Sequence, residues 1–225
     1  MRFNILTIFP EVIEPYCAAS IIGRAQKKKL LDINIVNIRD YSADKHRKVD
    51  DEPFGGGPGM VMTAQPIYDC IAALKLPKKR RVILTSPQGR PWTQALAKEF
   101  ALEKNITIIC GHYEGIDERV MPLVTDEISI GDYVLTGGEL PALVMLDSIA
   151  RMLKGVVGKE ESIISETFFD GESFDHPHYT RPADFRGLKV PEVLLNGNHK
   201  AINEWRKKMA EEKKQKRGSS LASYY

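Results

Sequence analysis

The sequence predicts an α/β protein, a parallel sheet with helices on both faces, joined to a small helical carboxyl-terminal domain. Three observations carry that expectation. Short β-branched runs alternate with segments whose apolar residues recur every three or four positions, as in strands connected by crossover helices. Glycine-rich stretches follow two of the strand-like runs, where open α/β sheets hold their ligands. Periodicity then fails over a long polar stretch before a last amphipathic segment, and this divides the chain.

The first strand is expected at Phe3–Phe9, a run cut by Pro10 and Glu11. Further strands are expected at Ile33–Ile38, Arg81–Thr85, Ile106–Cys110 and Glu127–Ile130, each β-branched and bounded by polar breakers. Between them the helical spacing covers Ser20–Leu31, Gln65–Leu74, Thr93–Glu103, Ile116–Val124 and Glu139–Leu153. Thr93 suits an N-cap, because its hydroxyl can accept from a free first-turn amide. Residues 1–157 thus form the main domain. Residues 158–190 are dense in Gly, Pro, Ser, Thr, Asp and Glu and read as an interdomain linker. Phe168, Phe169, Phe174 and Tyr179 argue that this linker orders against something. A small domain at 191–217 carries a helix from about His199 to Lys216, with Ile202, Trp205 and Met209 on one face, and 218–225 reads as a flexible tail.

A length of 225 residues suits one large domain with a small appendage. The net charge of +2 conceals clustering: Lys27–Lys29, Lys78–Arg81 and Lys200–Arg217 are basic, whereas Asp50–Glu52 and Glu160–Glu161 are acidic. One such run reads as a solvated helix face, but three basic runs point to a polyanionic partner. Cys17, Cys70 and Cys110 stand in apolar surroundings without C-x-x-C spacing, which fits a reduced cytoplasmic location. No segment approaches the ~18 apolar residues of a membrane helix, and the amino terminus lacks a signal-peptide core, so no membrane partner is expected.

The stretch Gly111–Ala142 crowds glycines and polar side chains between two short apolar strands, and packing alone does not ask for that. Glycines there let backbone groups approach a flat ligand closely. Familiar nucleotide motifs are excluded. Phe9-Pro10-Glu11 follows the first strand where a dinucleotide fingerprint needs glycines, and Gly55–Gly59 lacks the Gly-Lys-Ser/Thr ending of a phosphate loop. On the residues alone, the site is nucleotide-like.

Five blocks carry a closer likeness: Asp50–Met60, Ser86-Pro87-Gln88-Gly89, Gly111–Val120, Ile130–Pro141 and His178-Tyr179-Thr180-Arg181-Pro182. In order and spacing, over residues 1 to about 210, they resemble the bacterial tRNA (guanine-N1)-methyltransferases of the SPOUT class. The resemblance implies a deep trefoil knot in the carboxyl half of the sheet, S-adenosylmethionine as cofactor, tRNA as partner, and methylation of the guanine immediately 3′ of the anticodon. It also implies a homodimer whose sites are completed across the interface, and an association with Mg²⁺, for which the sequence offers no dedicated carboxylate cage. The implied cofactor contacts are Ser86, Pro87, Gln88 and Gly89; Gly111, Tyr113, Glu114 and Gly115; and Ile130, Gly131, Asp132, Tyr133, Val134, Leu135, Gly137 and Gly138. Substrate contacts are expected from Asp50, Glu114, His178, Tyr179 and Arg181, the last three in a proline-stiffened run able to stack on a base or hold a phosphate.

Methylating guanine N1 requires removal of a weakly acidic proton, so a carboxylate general base is expected. The family has an aspartate before Ser-Phe in the linker; here the matching run is Glu166-Thr167-Phe168, which makes Glu166 the first candidate and Asp170 the reserve. The following run, Gly171–Pro177, departs from the family pattern by one extra residue. Arg151, in an otherwise apolar helix, is assigned by resemblance to the catalytic centre, where it would answer negative charge on guanine O6. The bland alternative for Arg151 is an ion pair with Glu139 or Asp147. His176 and His178 show no third partner at ligand spacing, so no metal site is expected. The alternatives are a SPOUT ribose 2′-O-methyltransferase and a non-catalytic RNA-binding relative.

Overall fold

The computed structural model describes residues 1–158 and 166–222, the last five as backbone only. The chain forms two compact units, Met1–Gly158 and Lys159–Tyr225. The second unit spans the stretches expected as linker and carboxyl-terminal domain, apart from Gly158. Glu160 and Glu161, and the tail residues 223–225, lie outside the described residues.

The first unit is built on five parallel strands: β1 (Arg2–Thr7), β2 (Asp32–Asn37), β5 (Arg81–Pro91), β6 (Asn105–Ile109) and β7 (Asp126–Ser129). Their spatial order is β2-β1-β6-β5-β7. Alternation within each strand builds a core on both faces. Phe3, Ile5, Ile83, Ile106 and Ile108 turn to one side, where they meet helices α1 (Pro10–Ala18), α2 (Ser20–Lys27), α4 (Gln94–Phe100) and α5 (Glu139–Ala150). Leu6, Val82, Leu84 and Ile109 turn to the other and pack with Ile67 and Cys70 of α3 (Ala64–Ala73). A short hairpin of β3 (Asp50–Asp51) and β4 (Val61–Met62) precedes α3.

Several expectations change in detail. Pro10 does not merely cut the first strand; it begins α1, where its missing N–H costs nothing. Ile116–Val124 is not an α-helix. Asp117 accepts from the Arg119 amide and opens a 3₁₀ segment, Glu118–Leu123, that holds Pro122. Thr93 does cap α4, its Oγ1 accepting from Leu96 N at 3.3 Å. Arg81, read as part of a basic run, is the centre of a partly buried ion cluster. Its guanidinium reaches Glu99 (2.7 Å), Glu103 (3.4 Å) and Asp126 (3.1 Å) and lies over Phe100.

In the second unit, β8 (Asp184–Phe185) and β9 (Leu188–Lys189) form a two-stranded ribbon ahead of helix α6 (His199–Ala222). The helix backbone runs through Gly218 to Ala222, so the tail expected from 218 begins no earlier than 223. Among the described residues no helix is long and apolar enough to cross a membrane.

Candidate active site

The carboxyl ends of β5, β6 and β7 are tied by short polar contacts. Thr85 Oγ1 donates to the Ile109 carbonyl (3.1 Å) and accepts from Gly111 N–H (3.3 Å), joining β5 to the turn after β6. Gly138 N–H donates to the Gly111 carbonyl at 2.8 Å, and His112 bridges Gly137, so the loops after β6 and β7 meet. Strand β5 is interrupted between Thr85 and Arg90 and then pairs again with Ile128 and Ser129. Ser86–Gly89 therefore forms a bulge instead of a strand end.

These loops enclose a cavity of about 450 Å³. Ser86, Pro87 and Gln88; Gly111, Tyr113, Glu114 and Gly115; and Ile130, Gly131, Tyr133, Val134, Leu135, Gly137 and Gly138 all line it. Two expected contacts stand apart from the wall. Gly89 packs on β7, where an added Cβ would come within 2.5 Å of Ile128 N, and Asp132 is exposed between its lining neighbours.

Sequence reading misses several wall residues, including Thr85, Glu127, Ile128 and Ser129. His112, within the glycine loop Gly111–Gly115, is the most informative wall residue. Its ring lies edge-on to Phe9 and Tyr113, and its buried Nδ1 finds no hydrogen-bond partner among the described residues. Such an atom is costly to leave unpaired. Its place between Gly111 and Tyr113 in a glycine loop was the available signal. Tyr113 itself holds φ +60°, a left-handed backbone that a non-glycine residue adopts at a cost of order 1–3 kcal/mol.

Below the cavity, Glu139 is buried at the start of α5, where the helix dipole favours a carboxylate, and it accepts from Thr7 Oγ1 at 2.6 Å. Burial, with Glu139 nearby, pushes the Cys110 thiol far above its ordinary pKa. Beside the cavity, Glu114 N–H donates to Met60 O, Met62 N–H to Gly115 O and Asp117 N–H to Met62 O. Because Asp50 pairs with Met62, the structure brings Asp50 and the Glu114 loop onto neighbouring segments. Gly59, at φ +81°, keeps that approach open; a Cβ there would meet the Glu114 carboxylate at 2.5 Å.

Arg151 caps α5, its N–H donating to Asp147 O at 3.1 Å. Glu139 is bonded to Thr7, and Asp147 Oδ2 accepts from Tyr16 at 2.5 Å, a hydrogen bond that pushes the Tyr16 hydroxyl up to about 12.

Glu166, Asp170, His178, Tyr179 and Arg181 belong to the second unit. Glu166 begins a turn in which Phe169 N–H donates to its carbonyl, and Phe168 sits at φ +65°. Asp170 accepts from the hydroxyl and amide of Ser173 and the amide of Glu172, bonds that hold its carboxyl well below the usual range. Arg217 lies over the rings of Phe168 (4.7 Å) and Phe174 (5.7 Å). His178, Tyr179 and Arg181 come together around a second cavity, of about 530 Å³, with Leu194, Ile202 and Arg206 opposite. Spacing offers two histidines and no third donor there; the structure supplies one. Asp175 lies 2.9 Å from His176 Nδ1 and 2.8 Å from His178 Nε2.

A parallel sheet whose glycine loops close a cavity at its carboxyl side is the arrangement in which α/β proteins hold nucleotide-like ligands. The likeness carried by the five sequence blocks extends along nearly the whole chain. It belongs to the tRNA (Guanine-1)-methyltransferase TrmD family, whose model matches residues 1–223. It is similar to the tRNA (guanine-N(1)-)-methyltransferase of Clostridioides difficile (strain 630), 57% identical over 211 residues that cover 92% of this chain and 91% of the relative. The Thermosipho africanus (strain TCF52B) enzyme of the same name is 57% identical over 213 residues, covering 93% and 85%. That of Synechocystis sp. (strain ATCC 27184 / PCC 6803 / Kazusa) is 49% identical over 221 residues, covering 98% and 95%.

Proposed function

We propose that this protein methylates N1 of the guanine immediately 3′ of the anticodon in tRNA, using S-adenosylmethionine. The observation that carries the reading is the three-loop cavity at the ends of β5, β6 and β7 in a chain of this family. The cavity fits the cofactor. Its volume of about 450 Å³ suits a small-molecule site, its glycine loops offer backbone groups, and the orphaned His112 Nδ1 awaits a polar partner. Bound S-adenosylmethionine supplies an electrophilic methyl group.

The chain's own residues bind, orient and move a proton. Ser86–Gln88, Gly111–Gly115, Ile130, Gly131 and Tyr133–Gly138 would hold the nucleoside portion, with Val134 and Leu135 giving apolar contact. Glu166 takes the proton from guanine N1. Asp170 is the weaker choice, because the bonds that lower its pKa also lower its basicity. Arg151 answers the negative charge that develops at guanine O6. Asp50 and Glu114 receive the guanine edge, while His178, Tyr179 and Arg181 hold the RNA.

We read the carboxyl half of the sheet as a trefoil knot, a reading supported by β7 lying beside β5 and by the bond between the loops after β6 and β7. We also read the protein as a homodimer in which the linker of one subunit brings Glu166 to the cavity of its partner. Val12 and Tyr16 on α1, and Leu140 and Val144 on the adjoining α5, are exposed and support that reading. A tRNA substrate makes the cytoplasm the expected location.

The test is transfer of a labelled methyl group to tRNA transcripts bearing guanine or adenine 3′ of the anticodon, with and without Mg²⁺. Guanine-dependent labelling is expected; equal labelling of both transcripts would refute the base assignment.

A further inference from the structure

We propose that Asp175, His176 and His178 form a binding site for a divalent transition-metal cation of the zinc type. Their donor atoms all lie within 4.8 Å of one another. The Asp175 carboxylate spans the pair, Oδ1 at 2.9 Å from His176 Nδ1 and Oδ2 at 2.8 Å from His178 Nε2. The two imidazoles are tilted, with centroids 4.5 Å apart. Tetrahedral zinc at ~2.0–2.1 Å from each donor holds them ~3.3 Å apart, so small side-chain rotations convert the hydrogen-bonded cluster into a ligand set.

The backbone and the surroundings favour this arrangement. Pro177 fixes φ between the two histidines, and an extended segment sends residues two apart to the same side. Asp175 N–H donates to Thr167 Oγ1 at 3.0 Å, which anchors the loop across eight residues. The His176 ring meets Trp205 of α6 edge-on at 6.4 Å. Two imidazoles and one carboxylate suit zinc-type ions, whereas Mg²⁺ and Ca²⁺ seek all-oxygen shells. Three protein ligands leave a fourth position open. Both imidazoles line the 530 Å³ cavity that holds Tyr179, Arg181 and Arg206, so water or an anionic oxygen can complete the shell there.

The test titrates the full-length, metal-stripped protein with Zn²⁺ against a chromophoric chelator of micromolar affinity. One equivalent is expected to bind, and millimolar Mg²⁺ should not displace it. His176→Gln and His178→Gln should each weaken binding by about tenfold or more. The His178 side chain is 69% exposed, so its replacement leaves the fold intact, and circular dichroism checks both variants. Failure of the folded parent to bind one equivalent would overturn the site, as would unchanged affinity in folded His178→Gln.

Discussion

Replacing Gly138 with alanine tests the junction on which the cavity depends. A Cβ at this position would lie 2.0 Å from Thr85 Oγ1, 2.7 Å from Cys110 Cα and 2.8 Å from Gly111 N. Two of these neighbours are backbone, and the third is a hydroxyl already bonded to Ile109 O and Gly111 N, so none can rotate away cheaply. Overpacking of this kind costs about 1–3 kcal/mol. The bond from Gly138 N–H to Gly111 O, worth about 0.5–1.5 kcal/mol, stretches or breaks as the loops part. The sum is about 1.5–4.5 kcal/mol. Felt wholly in the cavity, it weakens S-adenosylmethionine binding by roughly ten- to a thousand-fold; felt globally, it appears as a lower melting temperature. Titration calorimetry and thermal unfolding together capture both. Gly158→Ala is the control, because a Cβ there meets nothing within 4 Å. Parent-like affinity and melting temperature in Gly138→Ala would refute the claim that these three loops form one tightly packed site.

Glu166→Gln should lower the turnover rate by roughly 10²–10⁴-fold in single-turnover assays, and Asp170→Asn by about tenfold or less, with the reverse ranking overturning the choice of base. Arg81→Met should cost about 1–3 kcal/mol in urea unfolding, because Glu103 and Asp126 lose the cation they share at 28% side-chain exposure of the arginine; an unchanged midpoint would make the cluster decorative. The side-chain hydrogen bond from Arg119 lowers the Asp117 pKa to about 2, below the unfolded value of ~3.9, so its contribution to stability is present above about pH 4 and lost as pH falls toward 2. Asp117→Asn should flatten that acid limb in unfolding curves taken from pH 6 to pH 2. Val144→Glu should shift the protein toward monomer in sedimentation, whereas a retained dimer would put the interface elsewhere.

What could be read from the residues was local. Strand β6 announces itself because a buried parallel strand is a nearly continuous β-branched run, β2 does so through Ile33 and Ile35 alternating with polar residues, and the cavity loops do so because glycines cluster beyond β6 and β7. The return of β5 at Arg90 and Pro91 was not legible, since only pairing with Ile128 and Ser129 across the sheet rescues a segment that Pro87 and Gly89 mark as a turn. Thr85 joins the site through a contact between loops, which spacing does not encode. Residues 218–225 read as a tail, yet a glycine costs a helix only ~1 kcal/mol, and the α6 backbone continues through Gly218 to Ala222. Asp175 escaped notice as a third donor because it sits directly beside His176, outside the i and i+2 spacing that drew attention to the two histidines.

Nuclease digestion of the methylated tRNA, with identification of the modified nucleoside by mass spectrometry, tests the central claim most directly. The account predicts 1-methylguanosine from the nucleotide 3′ of the anticodon, formed by the parent and lost in Glu166→Gln. A 2′-O-methylated nucleoside, or methylation at another base, would contradict it.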